Sequence, residues 1–144
     1  MVIPINYESE DYRFFKTLNE DVQLKPVGNG KHYDIQFMNG DYVNVAGKES
    51  LYNAIVIAIM TRFNELSDIK LYDEFGCRVH ELLKARFTEM VEYEMIVFLT
   101  ETLENMRRIK EVHQVDLIKL DDIYKISFRI KSINDEMIAG SVEI

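Results

Sequence analysis

"IYKISFRIK", residues 123–131, alternates apolar and polar side chains. Tyr124, Ile126, Phe128 and Ile130 fall on one side of an extended chain; Lys125, Ser127, Arg129 and Lys131 fall on the other. A period of two describes a half-buried strand, here with a basic outer row. The segments around it, "VHQVDLIKL" (112–120) and "MIAGSVEI" (137–144), are strand-like as well. Asp121-Asp122 and Asn134-Asp135 supply the turns between them, since Asp and Asn hydrogen-bond their own backbone and accept left-handed conformations. The three segments predict an antiparallel meander. "MIAGSVEI" is expected at its edge, guarded only by Glu143 where edges usually carry Pro or inward charge.

Upstream the period becomes helical. In "GKESLYNAIVIAIMTRFNEL" (47–66), Leu51, Ala54, Ile55, Ala58, Ile59, Phe63 and Leu66 recur at i, i+3, i+4 spacing. Val56, Ile57 and Met60 add a second apolar face, which suits a helix central to its domain. "CRVHELLKA" (77–85) reads as a shorter helix. "FTEMVEYEMIVFLTETLENMRRI" (87–109) reads as a longer one, with a stripe of Met90, Val91, Met95, Phe98, Leu99, Leu103 and Met106. Arg107, Arg108 and Lys110 at its end would complement the helix dipole. "HYDIQFMNGDYVNV" (32–45) predicts strands near 33–38 and 41–45, because Asn39-Gly40 tolerates the positive φ of a tight hairpin. The expected fold class is α+β: an N-terminal hairpin, three helices and a C-terminal three-stranded meander. Pro4, Pro26, Gly28 and Gly30 mark residues 1–30 as an arm and linker, with the domain at 31–144. Within the arm, "SEDYRFFKTL" (9–18) suits a short helix capped by Ser9.

Length and composition set bounds on function. At 144 residues the chain suits one domain, and 47% hydrophobic with 29% charged residues is an ordinary globular mix. The net charge of −8 opposes nucleic-acid and anionic-membrane binding, which need a basic footprint. The longest apolar run, Ala54–Met60, is far too short to span a bilayer. The N-terminal "MVIPINYESEDY" lacks a basic, then apolar, export signal, so the protein is expected to be soluble and not exported by that route. With one cysteine, Cys77, no internal disulfide is possible.

Chemistry is sparse. There is no phosphate loop, no Gly-x-Ser-x-Gly, no His-Glu-x-x-His and no paired-cysteine motif. His32, His80 and His113 lie on three different elements, so neither a metal nor a cofactor is expected. Cys77 and His80 could form a thiolate pair; the plainer reading is a small half-buried thiol. Glycosidase chemistry needs two carboxylates, one with a raised pKa. Glu65, Asp68, Asp73, Glu74 and Glu81 cluster in sequence, as 25 acids in 144 residues would by chance. In "KLYDEFGCRVHELLKA" (70–85), Phe75-Gly76 is read as a tight structural turn between helices. Gly76 would take a conformation that a Cβ disfavours, with Tyr72 and Phe75 anchored in the core.

The order "VAGKESLYNAIVIAIMTRFNEL", "YDEFGCRVHELL", "MVEYEMIVFLTETLENMRRIKEVHQV" resembles a known family over residues 40–144. It is the small baseplate wedge subunit of contractile phage tails, with relatives in R-type tailocins and type VI secretion baseplates, often labelled "lysozyme-like". The matching positions are Gly47 before the first helix; Thr61, Glu65 and Leu66 at its end; Phe75-Gly76 at the turn; and Arg108, Ile109 and Val112 after the long helix. Where many relatives carry Glu-Pro-Arg, this chain has Met106-Arg107-Arg108 and keeps only the Arg. The resemblance implies a structural baseplate component of a virion or tail-like particle, assembled in the host cytoplasm, and not an enzyme. It implies other wedge subunits and the tail sheath protein as partners, with inner tube or hub proteins next; the Pro/Gly break at 26–30 and the aromatics Tyr12, Phe14 and Phe15 add the expectation that the arm docks on a wedge subunit. The interface is expected at Arg108, Lys125, Arg129, Lys131, Ser141 and Val142, with the meander starting strand exchange with the sheath. A peptidoglycan hydrolase and a small regulatory adaptor are the alternatives.

Overall fold

The computed structural model describes residues 21–27, 32–68 and 73–144, and the chain divides into two compact units, Met1–Asn53 and Ala54–Ile144. The predicted arm helix at 9–18 and Tyr72 lie outside the described residues.

Among its described residues the first unit holds three short antiparallel ribbons. Strand β1 (Asp21–Val22) pairs with β6 (Asn44–Val45), β2 (Leu24–Val27) with β3 (His32–Ile35), and β4 (Phe37–Met38) with β5 (Asp41–Tyr42). The ribbons meet at a closed ring of backbone bonds: Gln23 N–H donates to Val43 O (2.7 Å), Val43 N–H to Gln36 O (3.2 Å), and Gln36 N–H to Gln23 O (2.9 Å). Each of these residues lies between two strands and satisfies both its N–H and its C=O at the junction. Asn39 and Gly40, at φ +53° and +82°, form the expected tight turn between β4 and β5. Asp21–Val22 and Leu24–Val27, within the stretch read as arm and linker, are thus in strands, and Pro26 pairs with Tyr33. Helix α1 (Lys48–Met60) starts here, and Asn53 Nδ2 donates to Val22 O at 2.8 Å.

The second unit takes the rest of α1, a 3-10 helix (Arg78–Glu81), helix α2 (Glu89–Glu104) and strands β7 (Ile109–Leu120), β8 (Ile123–Ser132) and β9 (Met137–Glu143). β8 lies between β7 and β9 in the meander. Its core face, Tyr124, Ile126, Phe128 and Ile130, is buried, as are Ile138 and Val142 of β9. Met95, Leu99 and Leu103, one helical turn apart, are the buried ridge of α2, which packs on β7. The hydroxyl of Thr88 caps α2 by accepting the Val91 N–H at 3.3 Å. Beside the sheet, Lys119 Nζ lies 5.5 Å from the Phe87 ring and 5.7 Å from the Tyr124 ring, closing the rim of the core with its apolar stem and charged tip.

The expected three helices are corrected to two α-helices among the described residues, and the single expected hairpin to a set of small ribbons. "CRVHELLKA" forms only a 3-10 turn. Cys77 provides no side-chain cap, Val79 is the one buried residue of Arg78–Glu81, and so short a segment cannot offset the cost of nucleating an α-helix. Helix α1 ends at Met60, not Leu66. Beyond it the chain leaves helical geometry to pair with residues 75–77: Cys77 N–H donates to Thr61 O (2.8 Å), Phe63 N–H to Cys77 O (3.3 Å) and Asn64 N–H to Phe75 O (3.0 Å). Helix α2 ends at Glu104, so Arg107, Arg108 and Lys110 lie past its last turn, and Met90, assigned to its apolar stripe, is 72% exposed.

Candidate functional site

The outer face of the meander gathers most of the predicted interface. Lys125, Ser127, Arg129 and Lys131 line β8 and alternate with its buried residues. On the β9 side their register partners are Glu143, Ser141, Ala139 and Met137; on the β7 side Lys131 faces Glu111 and Arg129 faces Gln114. The row is therefore basic along its centre with acids at its flanks. Lys131 Nζ lies 3.7 Å from Asp135 Oδ1, and Lys110 reaches the same oxygen at 2.9 Å. The hydrogen bond from Lys110, then its charge, holds the Asp135 carboxyl below the usual carboxylate range. Arg129 remains exposed at the centre.

The backbone of β9 is the second part of the site. Tyr124 and Ile144 exchange both backbone bonds, at 2.8 and 2.9 Å. Bonded pairs alternate with non-bonded pairs along an antiparallel ladder. Ile126–Val142, Phe128–Gly140 and Ile130–Ile138 are then the bonded pairs, while the main-chain groups of Met137, Ala139 and Glu143 point away from β8. Among the described residues no strand lies beyond β9. Among the predicted interface residues, Val142 is 1% exposed, its side chain faces the core and its backbone belongs to the β8 ladder. Arg108 is separate from the basic row; it lies between α2 and β7, where its carbonyl accepts the Ile133 N–H at 3.0 Å.

Phe75 and Gly76 sit where residues 61–63 and 75–77 pair, not on the meander. Gly76 has φ +112°. A Cβ there would stand 2.5 Å from Arg62 O and 2.8 Å from Thr61 O. Its role is close backbone approach. Arg78 follows, stacked between Phe63 and Phe98 at 5.5 and 5.3 Å, and fixes the 3-10 helix on its neighbours.

The candidate catalytic groups are dispersed. Cys77 is fully buried, its thiol pushed up by that burial, with Sγ 3.9 Å from Phe98 O. His80 Nε2 lies 2.7 Å from Ile59 O, a carbonyl that can only accept, so Nε2 carries the proton. Each residue thus has a backbone partner, and a buried, protonated thiol is a poor nucleophile. Cys77 is expected to react with a disulfide reagent at least about 100-fold more slowly in the folded protein than after unfolding, as thiolate fraction and access dictate; equal rates would refute this placement. Glu65, Asp68, Asp73, Glu74 and Glu81 are all exposed. Glu65 accepts the Arg62 N–H at 3.0 Å and Glu81 lies 3.6 Å from Arg78. Among the described residues no group of three or more His, Cys, Asp or Glu is placed to hold a metal ion. No helix among them is long and apolar enough to cross a membrane.

These features define an α+β protein whose second unit stacks a helix on a three-stranded meander with β7 and β9 as its edge strands. Comparison with solved structures gives the fold a relative. The chain is similar to the crystal structure of a "putative tail lysozyme" from Geobacter sulfurreducens, with a TM-score of 0.57 and 15% identity over 67% of this chain and 87% of the other. At that identity the likeness is one of fold: the chain has a tail-lysozyme-like fold. Neither a protein-family model nor a curated protein matches it.

Proposed function

We propose that the protein is a structural subunit of a contractile-tail baseplate, in a virion or tail-like particle assembled in the host cytoplasm. It joins wedge proteins to the first sheath ring and supports sheath assembly. The observation that carries this reading is the outward-facing backbone of β9 on a fold shared with a tail protein. A sheet edge of that kind accepts a further strand, with main-chain bonds giving affinity and side-chain alternation setting register. The central Arg129 favours an acidic stretch on the added strand.

The name of the structural relative raises peptidoglycan hydrolysis as a second reading. A carboxyl that acts as a general acid near neutral pH needs burial to raise its pKa. The exposure of all five clustered acids favours the scaffold reading. The test is to express the protein with the reading frames that flank its gene and sediment the particles. It is expected in the particle fraction, with no clearing of a cell-wall suspension. Clearing that is lost on Glu65→Gln or Glu81→Gln, with the protein left in the soluble fraction, would reverse the assignment.

A further inference from the structure

The ribbon formed by β4 and β5 exposes an unusual amount of apolar surface for its size. Phe37 is 60% exposed, Met38 59%, Tyr42 56%, and Ile35, two residues before Phe37, 40%. Phe37 and Tyr42 face each other across the ribbon, ring centroids 6.4 Å apart, while Met38 and Asp41 pair on the opposite face. Both faces of the tip are therefore in water. A two-stranded ribbon this short gains little stability from burying nothing, so local folding alone does not account for four large apolar side chains here.

We propose that this hairpin is a docking element that inserts into an apolar groove with a basic rim on another subunit of the same particle. The inference rests on the baseplate reading. The occupant follows from shape and charge. The element is convex, and aromatic anchors on convex elements are bound in pockets. Between residues 32 and 45 the charged side chains are Asp34, which has Lys25 as its cross-strand partner, and Asp41 at the tip, both exposed. One oxygen of each carboxylate accepts the next backbone N–H at 2.8 Å, on Ile35 and Tyr42, which fixes the acids beside the apolar residues. A lysine- or arginine-rimmed groove complements that pattern. A second copy of the chain would bring two acidic tips together. An anionic bilayer would repel the same acids and a chain of net charge −8.

The test places a photoactivatable benzoylphenylalanine at Met38 and compares wild type with Phe37→Ser/Tyr42→Ser in assembled particles. Crosslinking to a different particle protein is expected, with incorporation of the double variant reduced by about tenfold or more. The melting temperature of the isolated variant should match wild type, since neither side chain is in the core. Asp34→Lys/Asp41→Lys should weaken incorporation as well. Crosslinks to a second copy, or equal incorporation of the double variant, would overturn the hairpin's role and leave the baseplate reading standing. Flotation of wild type with phosphatidylglycerol vesicles, lost in the double variant, would overturn it in favour of a membrane. Absence of wild type from the particles would overturn both readings.

Discussion

Gly76→Val is expected to destabilise the second unit by about 4 kcal/mol, large for a single substitution at a half-buried position. Two costs combine. A β-branched residue at φ +112° sits outside its allowed region, at a cost of about 1–3 kcal/mol. The new Cβ would also stand 2.5 Å from Arg62 O and 2.7 Å from Arg62 C, both backbone atoms that no rotamer change can move. Relief requires separating residues 61–63 from 75–77, and that loosens the bonds from Cys77 N–H to Thr61 O and from Phe63 N–H to Cys77 O, each worth about 1 kcal/mol. Because the clash is at Cβ itself, Gly76→Ala should lose most of the same stability. Urea denaturation followed by circular dichroism measures both variants. A Gly76→Ala midpoint equal to wild type would show that the two strands do not approach as described.

That crossing also shows where sequence reading fails. Phe63 and Leu66 satisfy helical spacing from Leu51, so periodicity extends α1 to 66. The chain leaves the helix at Thr61 because its backbone finds partners at 75–77, and no local pattern announces a pairing partner so far along the chain. The meander is legible because burial and alternation coincide: Tyr124, Ile126, Phe128 and Ile130 all face the core. The turns are legible for a chemical reason, as Asn39, Asp121 and Asp135 all take positive φ. The ribbons of the first unit are harder to read. Pro26 and Gly28 look like linker residues, and two-residue strands leave too few positions for a period to show. The candidate site is legible in its side chains but not in its backbone. Lys125, Arg129 and Lys131 follow from alternation, whereas the burial of Val142 follows only once the register with Ile126 is known. The exposed apolar residues of the hairpin were visible as residues; that they face water on both sides of the tip was not.

Under the proposed baseplate role, Ala139→Pro is expected to leave the fold intact and abolish sheath assembly on the particle. Proline removes a backbone N–H and fixes φ near −65°, so in a sheet it is tolerated only where the N–H points away from the ladder. The Tyr124–Ile144 exchange sets the alternation that turns the Ala139 N–H away from β8. The side chain of Ala139 is exposed, so the larger ring meets no core atoms. Gly140→Pro is the matched control. Its N–H belongs to the bonded pair with Phe128, and losing it leaves the Phe128 carbonyl unpaired, at a cost of about 1–3 kcal/mol. The two neighbouring substitutions should therefore separate cleanly. Gly140→Pro lowers the melting temperature, while Ala139→Pro keeps the wild-type melting temperature and circular dichroism but yields baseplates without polymerised sheath. Full-length contractile particles built with the Ala139→Pro protein would mean that no strand adds along β9, and the proposed sheath contact would fall with it.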